Sequence, residues 1–455
     1  MLAGTVNVVY TAATDLLEIT GDIDPNEVVL RAGQNLGDYT IEGVDTTING
    51  PTSIEDPVTR IVVNLGGGSD SFRIESSNPN NKVVVTAEVE IQNEDGANVN
   101  KLINARINDD LTVRKITGSS ESTLEIIGTT IVGVTTVNNF DGGQGASKTK
   151  ITSSGSGESA VQSHLQDDLI ITNGAGQDIL NIYQSRIDGD VTVDNGDGDT
   201  RTVLGQTLQD PVIYGNFELT NGDGNDENIL HDTHVWGHVL IENELGQAHT
   251  EIEDSSVGLG APVGNDGDLT VNSDSGYDEV RLVNTTVRDD FIINNDINGV
   301  AASEYGSNVE IMGNSRIGND FRFTGDNGWD HVKFQESRVV DDAFLYLNNG
   351  GSSVEFVGTA ERFAVVGERL TIEAEDGSDE IRLERTTVEG DTEIDLGDGV
   401  DLLEIVRASM LLGSSSFTSG DKIDVFRQQI LPPAEAVDIV FIDFDDFNVH
   451  EYLTS

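Results

Sequence analysis

The chain is predicted to fold as an all-β solenoid: a three-faced parallel β-helix, right-handed by the general preference of parallel crossovers, with a β-rich N-terminal cap and a C-terminal strand segment. Val, Ile, Leu and Thr recur in short alternating runs bounded by Asn, Asp and Gly, the mark of many short strands. A unit made of a polar residue, usually Asp, followed by apolar-x-apolar returns along most of the sequence. Two further alternating runs keep fixed offsets from it, so each period holds three strands whose side chains point inward and outward by turns.

Residues 1–80 lack the regular step and read as hairpins, with turns at Asp22 to Pro25 and Asn49 to Pro51. They are expected to cap the N-terminal end, where a bare turn would expose core and unpaired edges. Residues 81–430 carry the repeat, at about 22 to 30 residues per turn. The leading polar slot falls at Asp168, Asp190, Asn216, His238, Asp268, Asp290, Asp320, Asp342, Arg369 and Asp391. Short and long steps alternate between these slots: 22, 26, 22, 30, 22, 30, 22, 27 and 22 residues. Looser slots continue backward through Val134, Asp110 and Ala87.

Typical first strands are Asp168-Leu-Ile-Ile171 and Asp320-Phe-Arg-Phe323, whose apolar pairs face inward. A second strand starts ten residues after the slot, as in Asp278-Glu-Val-Arg-Leu282. A third precedes the next slot, with Ser or Thr five residues before it, as at Ser185 and Thr285. The extra residues of long turns are expected as corner loops. Residues 431–455 open with Leu431-Pro-Pro-Ala-Glu-Ala436, which breaks the pattern, and continue as an apolar alternating run from Val437 to Phe447. This segment is expected either to cap the last turn or to be donated as a strand to a neighbouring molecule, with Phe441, Phe444 and Phe447 as contact residues.

Two outward stripes test the register. On the second face the outward residue runs Glu251, Arg281, Glu310, Lys333, Glu355, Arg382, Glu404, so its charge alternates over successive turns. Stacking would make a ladder of opposite charges that a slip of one turn would turn into like-charge contacts. On the first face Leu240, Ile292 and Phe344 point outward from long turns, with Thr270, Arg322 and Thr371 between them. Either the loops of the long turns fold over these apolar groups, or they form a self-association or partner surface.

With 81 Asp and Glu against 25 Lys and Arg, the formal charge of −56 repels nucleic acid and anionic membranes and suits cations or a saline medium. There is no cysteine, so disulfides and thiolate metal sites are excluded. No apolar run is long enough to span a bilayer and no leader opens the chain, so an exported protein would already have lost its signal.

Gly-x-Gly-x-Asp turns occur at Gly66 to Asp70, Gly174 to Asp178, Gly222 to Asp226 and Gly397 to Asp401. They resemble half of the calcium-binding nonapeptide of secreted RTX proteins, in which glycines bend the chain and aspartates ligate the ion. The motif appears here once per turn instead of every nine residues, which argues against an RTX calcium roll. Calcium remains an expectation for stacked acidic turns, with Asp178, Asp197, Asp199, Asp223 and Asp226 as the candidate ligands. The alternative is that such aspartates cap their turns by accepting backbone N–H bonds.

The opening Met1-Leu2-Ala3-Gly4, followed by the strands around Thr5 to Tyr10 and Asp15 to Asp22, resembles the start of large planctomycete-type exported surface proteins. In that family a sorting segment precedes hairpins and acidic β-repeats; its Leu-Glu-x-Arg element is missing from this chain. The resemblance implies export to the cell surface or medium.

Three-faced β-helices include polysaccharide lyases and hydrolases, which makes a carbohydrate-active enzyme the competing expectation by fold analogy. Carboxylates are too abundant here to single out a catalytic pair, and no galacturonase-type Gly-His-Gly or Asn-Thr-Asp signature is present. Arg316, Arg322 and Arg338 lie near one stretch, where basic side chains are expected in solvent or paired with carboxylates. His231, His234, His238 and His249 cluster in sequence without the spacing of a tetrahedral site. The expected function is a non-catalytic extracellular structural protein of surface, matrix or filament, self-associating and calcium-stabilised, with an enzyme or an adhesin as alternatives.

Overall fold

The structure, a computed structural model, describes residues 4–32, 36–76, 81–139, 145–155, 160–206, 210–260, 267–295, 306–420, 425–428, 439–442 and 446–449. The described residues hold no helix; their parallel strands stack into about 14 solenoid turns. The chain divides into two compact units, Met1–Asn225 with Asp232–Val235, and Asp226–His231 with Trp236–Ser455.

In the first unit, strands Thr5–Thr11 and Leu16–Thr20 form an antiparallel hairpin, and so do Glu27–Ala32 and Tyr39–Gly43. Hairpins are therefore present, but not at the expected turns: Asp22 to Pro25 joins Leu16–Thr20 to Glu27–Ala32, and Asn49 to Pro51 joins Thr47–Asn49 to Ser53–Ile54, and those strands pair with other partners. Parallel stacking begins inside the cap's expected span, because Arg60–Asn64 and Ser71–Glu75 already pair with the next turn. The slot expected at Ala87 belongs to Glu88: Val89 pairs with Leu111, which places Glu88 opposite Asp110. Ala87 is buried beside it, and its small apolar side chain fits the interior that the alternation assigns to it.

The slot register holds where the pairing is resolved. Leu169 pairs with Val191 and Val191 with Phe217 in the first unit. Leu269 pairs with Phe291, Phe291 with Phe321, Phe321 with Ala343, and Leu370 with Thr392 in the second. Long turns bulge at different corners. The turn from Asp290 carries its extra residues between Asn295 and Ser307, whereas the turn from Asp342 carries them between Val357 and Ala364. Long steps thus conceal loops at different corners.

The interior follows from alternation. Phe291, Phe321, Phe323, Phe334 and Phe356 are fully buried. Phe321 meets Phe334 edge-on at 4.8 Å, and Phe334 stacks on Phe356 at 4.7 Å and 3°. Burying one such ring contributes about 1.5–3 kcal/mol, and ring contacts add about 0.5–1.5 kcal/mol. The corner before the third strand is a left-handed residue followed by Ser or Thr. Asp254, Asn284 and Asn314 have φ of 49°, 48° and 75°, a region that Asn and Asp tolerate well. The hydroxyls of Ser255, Thr285 and Ser315 then donate to carbonyls of the adjacent turn, those of Leu230, Ile252 and Leu282, at 3.1–3.3 Å.

The second-face ladder forms as the alternation predicts. Glu251, Arg281, Glu310, Lys333, Glu355, Arg382 and Glu404 are successive register partners. Arg281 lies 2.5 Å from Glu251 and 3.6 Å from Glu310, Lys333 3.9 Å from Glu355, and Arg382 3.8 Å from Glu404. At the C-terminal end, Ile439–Ile442 pairs parallel with Ser415–Thr418, and Asp446–Val449 with Val425–Gln428. The terminal segment therefore continues the stack within its own chain. Phe441 and Phe447 lie on those strands; Phe444 and the Pro-Pro break lie outside the described residues.

Candidate functional site

The slot aspartates bind the backbone of the neighbouring turn. Through Oδ1, Asp168 accepts the N–H of Asp190 at 2.9 Å, and Asp190 that of Asn216 at 2.7 Å. In the second unit Asp268, Asp290, Asp320 and Asp342 accept the N–H of Asp290, Asp320, Asp342 and Arg369 at 2.8–3.2 Å. The turn-capping expectation is met, with the bond running to the next turn instead of back into the same one. Each N–H dipole offsets part of the repulsion between stacked carboxylates.

The five candidate calcium ligands separate into two kinds. Asp197, Asp199 and Asp223 are exposed, and the first two act as the slots do. Asp197 Oδ1 takes the N–H of Asp223 at 3.4 Å, while Asp199 Oδ1 takes both the N–H and the side-chain amide of Asn225 at 3.0 Å. Those bonds hold the Asp199 carboxyl below its ordinary range. Asp178 and Asp226 are instead buried, Asp178 as the first residue of strand Asp178–Ile182 and Asp226 as the third of strand Gly224–His231. Asp197 and Asp223 bring carboxylate oxygens within 4.8 Å of one another, close enough to share a cation.

The buried kind defines an interior column. Asp178 accepts the Ser147 N–H and hydroxyl, Asp330 those of Ser307, Asp379 the N–H of Ser352, and Asp70 the N–H of Asn26, all on Oδ1. Oδ2 of Asp70, Asp178, Asp330 and Asp379 has no hydrogen-bond partner among the described residues. Burial pushes the carboxyls of Asp70, Asp278 and Asp330 up to about 7, and those of Asp178 and Asp379 to about 6. A buried carboxylate with a bare oxygen is costly, and a proton or a cation relieves it. Lys115, itself buried and with its ammonium pKa lowered by burial, supplies a positive charge near Asp178.

The motif glycines are explained by close stacking. A Cβ on Gly399 would lie 1.9 Å from the carbonyl oxygen of Gly377, and one on Gly377 would lie 1.9 Å from that of Gly350. Successive turns touch backbone to backbone there, and only glycine fits.

One polar column escaped the sequence reading. Asn139, Asn173, Asn195 and Asn221 are buried and form an amide ladder at 2.8–2.9 Å between turns. The signal was available: Asn173, Asn195 and Asn221 each stand five residues after a slot.

Several of the described histidines lie beside carboxylates. His234 sits 3.5 Å from Asp210, His249 3.1 Å from Glu279, and His164 2.8 Å from Asp188. His231, Glu253 and Asp254 bring potential ligand atoms within 4.8 Å of one another, with His231 Nε2 3.5 Å from Glu253. His331 stacks on Trp329 at 5.8 Å, and His450 lies outside the described residues.

Leu240, Ile292 and Phe344 are half-buried in one outward column with Thr270, Arg322 and Thr371. The Arg322 guanidinium lies over the Phe344 ring at 5.4 Å, so part of the stripe is covered from within. Most of the long loops expected over Leu240 and Ile292, residues 261–266 and 296–305, lie outside the described residues. No helix among the described residues is long and apolar enough to cross a membrane. In comparisons with known protein families, curated proteins and solved structures, the chain matches none.

Proposed function

We propose that this chain is a non-catalytic structural protein displayed outside the cell, on the surface, in a matrix or in a filament, self-associating and stabilised in part by calcium. The observation that supports this reading is how the acidic side chains are used. Slot carboxylates bridge neighbouring turns, and second-face carboxylates alternate with bases along a ladder. Such use suits a persistent scaffold better than a reactive groove, which needs carboxylates facing a substrate. Self-association falls to the stripe of Leu240, Ile292 and Phe344 and to the strands bearing Phe441 and Phe447. Calcium competes with protons for the buried carboxylates and screens Asp197, Asp199 and Asp223 at the surface.

Light scattering and thermal melting of the full chain, with calcium or with chelator, at pH 8 and pH 5, test this. Expected are a larger particle with calcium and a calcium-dependent rise in melting temperature that is greater at pH 8, where the buried acids are ionised. A monomer indifferent to calcium at both pH values would overturn the calcium and assembly readings together.

A further inference from the structure

We infer that the second unit carries a binding site for an acidic saccharide, a sugar bearing a carboxylate or a sulfate, in a cavity walled by Arg316, Arg338 and Arg362. The inference goes beyond the structural role and does not depend on it. The cavity is an open cleft of about 470 Å3. That is within the range of about 300–1,000 Å3 typical of small-molecule sites. Two of the arginines stand on the third face, where strand Arg316–Ile317 pairs with Arg338–Val339 and puts Arg316 directly beside Arg338. The third comes from the corner loop between Val357 and Ala364, fixed by the Thr359 N–H donating to the Arg362 carbonyl at 2.6 Å.

Three charges of one sign meeting here run against the rest of the protein. The chain has 81 acidic residues for 25 basic ones. On the second face of this same unit each base is flanked by carboxylates. Arg316 and Arg362, by contrast, have no ion-pair partner among the described residues, and Arg338 reaches only Glu389, at 3.7 Å with both side chains largely exposed. Like charges in register repel, so their juxtaposition is favourable once an anion lies between them. Guanidinium forks suit the paired oxygens of a carboxylate or sulfate.

The remaining walls suit a sugar better than a bare ion. Phe363, half-buried, offers an apolar surface for ring C–H groups, and Thr286 and Asn314 offer hydroxyl and amide partners. Glu336, also in the wall, selects against a ligand charged on every side and can accept from a sugar hydroxyl.

Isothermal titration of the full chain at low ionic strength, with an oligogalacturonate, a sulfated disaccharide, a neutral galacto-oligosaccharide and inorganic sulfate, tests the site. One or both acidic saccharides should bind, the comparison between them telling carboxylate from sulfate, while the neutral sugar should not. R338Q and R362Q, both at exposed positions, should each weaken binding about tenfold at unchanged melting temperature, and R322Q on the first face should leave it unchanged. Absence of binding by both acidic sugars, equal binding of the neutral sugar or of sulfate, or an equal loss in R322Q would overturn the proposal.

Discussion

Asp330 is fully buried, takes both the N–H and the hydroxyl of Ser307 on one oxygen, and leaves the other bare. Its carboxyl is raised to about 7 by burial, with the nearby Asp326 charge adding to the shift. A carboxyl raised in the folded state keeps a proton that the unfolded chain has released above about pH 3.9. The stability it lends is therefore present below that pH and is lost as pH climbs toward about 7. Asp70, Asp178, Asp278 and Asp379 act in the same sense. Asp188 opposes them: burial pushes its carboxyl up, but bonds from Arg186 and His164 bring it below the ordinary range. In chelator, the melting temperature should fall between pH 4.5 and pH 7.5, and D330N should flatten that slope and raise the melting temperature at pH 8. A flat profile in the parent protein, or a D330N slope as steep as the parent's, would contradict this assignment. The ten-residue offset from the slot made Asp178, Asp278, Asp330 and Asp379 visible in the sequence, and the Gly-x-Gly-x-Asp motif made Asp70 visible. Their inward direction was not, because a turn residue and the first residue of the following strand read alike until the pleat is fixed.

At the scale of the element, the second-face ladder holds the strands in register. Lys333 lies between Glu310 and Glu355 in the pairing. K333E would set three carboxylates in a row and should destabilise by about 1–2 kcal/mol, since each exposed cross-strand pair is worth about 0.2–1 kcal/mol. Denaturant melts should show that loss, shrinking at high salt and recovered in part by adding E355K to K333E. A loss unchanged by salt would point to packing instead of charge. This ladder was fully legible, because register on a solenoid face is a sum of step lengths. The arginine cavity was not: Arg316, Arg338 and Arg362 come from two turns and a loop, and no spacing rule connects the loop to the face.

At the scale of the whole molecule, each turn within a unit contacts its neighbours, so the stability of a unit is close to a sum of turn and interface contributions. Deleting residues 320–341 would bring Glu310 beside Glu355, whereas deleting residues 320–368 would bring Glu310 beside Arg382. The larger deletion should melt at the higher temperature of the two, with far-UV β signal retained. If the one-turn deletion melts as high as the two-turn deletion, charge alternation does not govern register in this unit.

The sequence by itself determined the period, the three strands per turn, the slot column and the alternating charges. Each of these depends only on residue type at fixed spacing along a chain whose side chains alternate. The tertiary structure decided what the spacing leaves open: that slot carboxylates bind the next turn, that Asp178 and Asp330 face the interior, and that the extra residues of long turns leave different corners. Those outcomes depend on which atoms successive turns bring within hydrogen-bonding reach, a distance across the stack that no count along the chain contains.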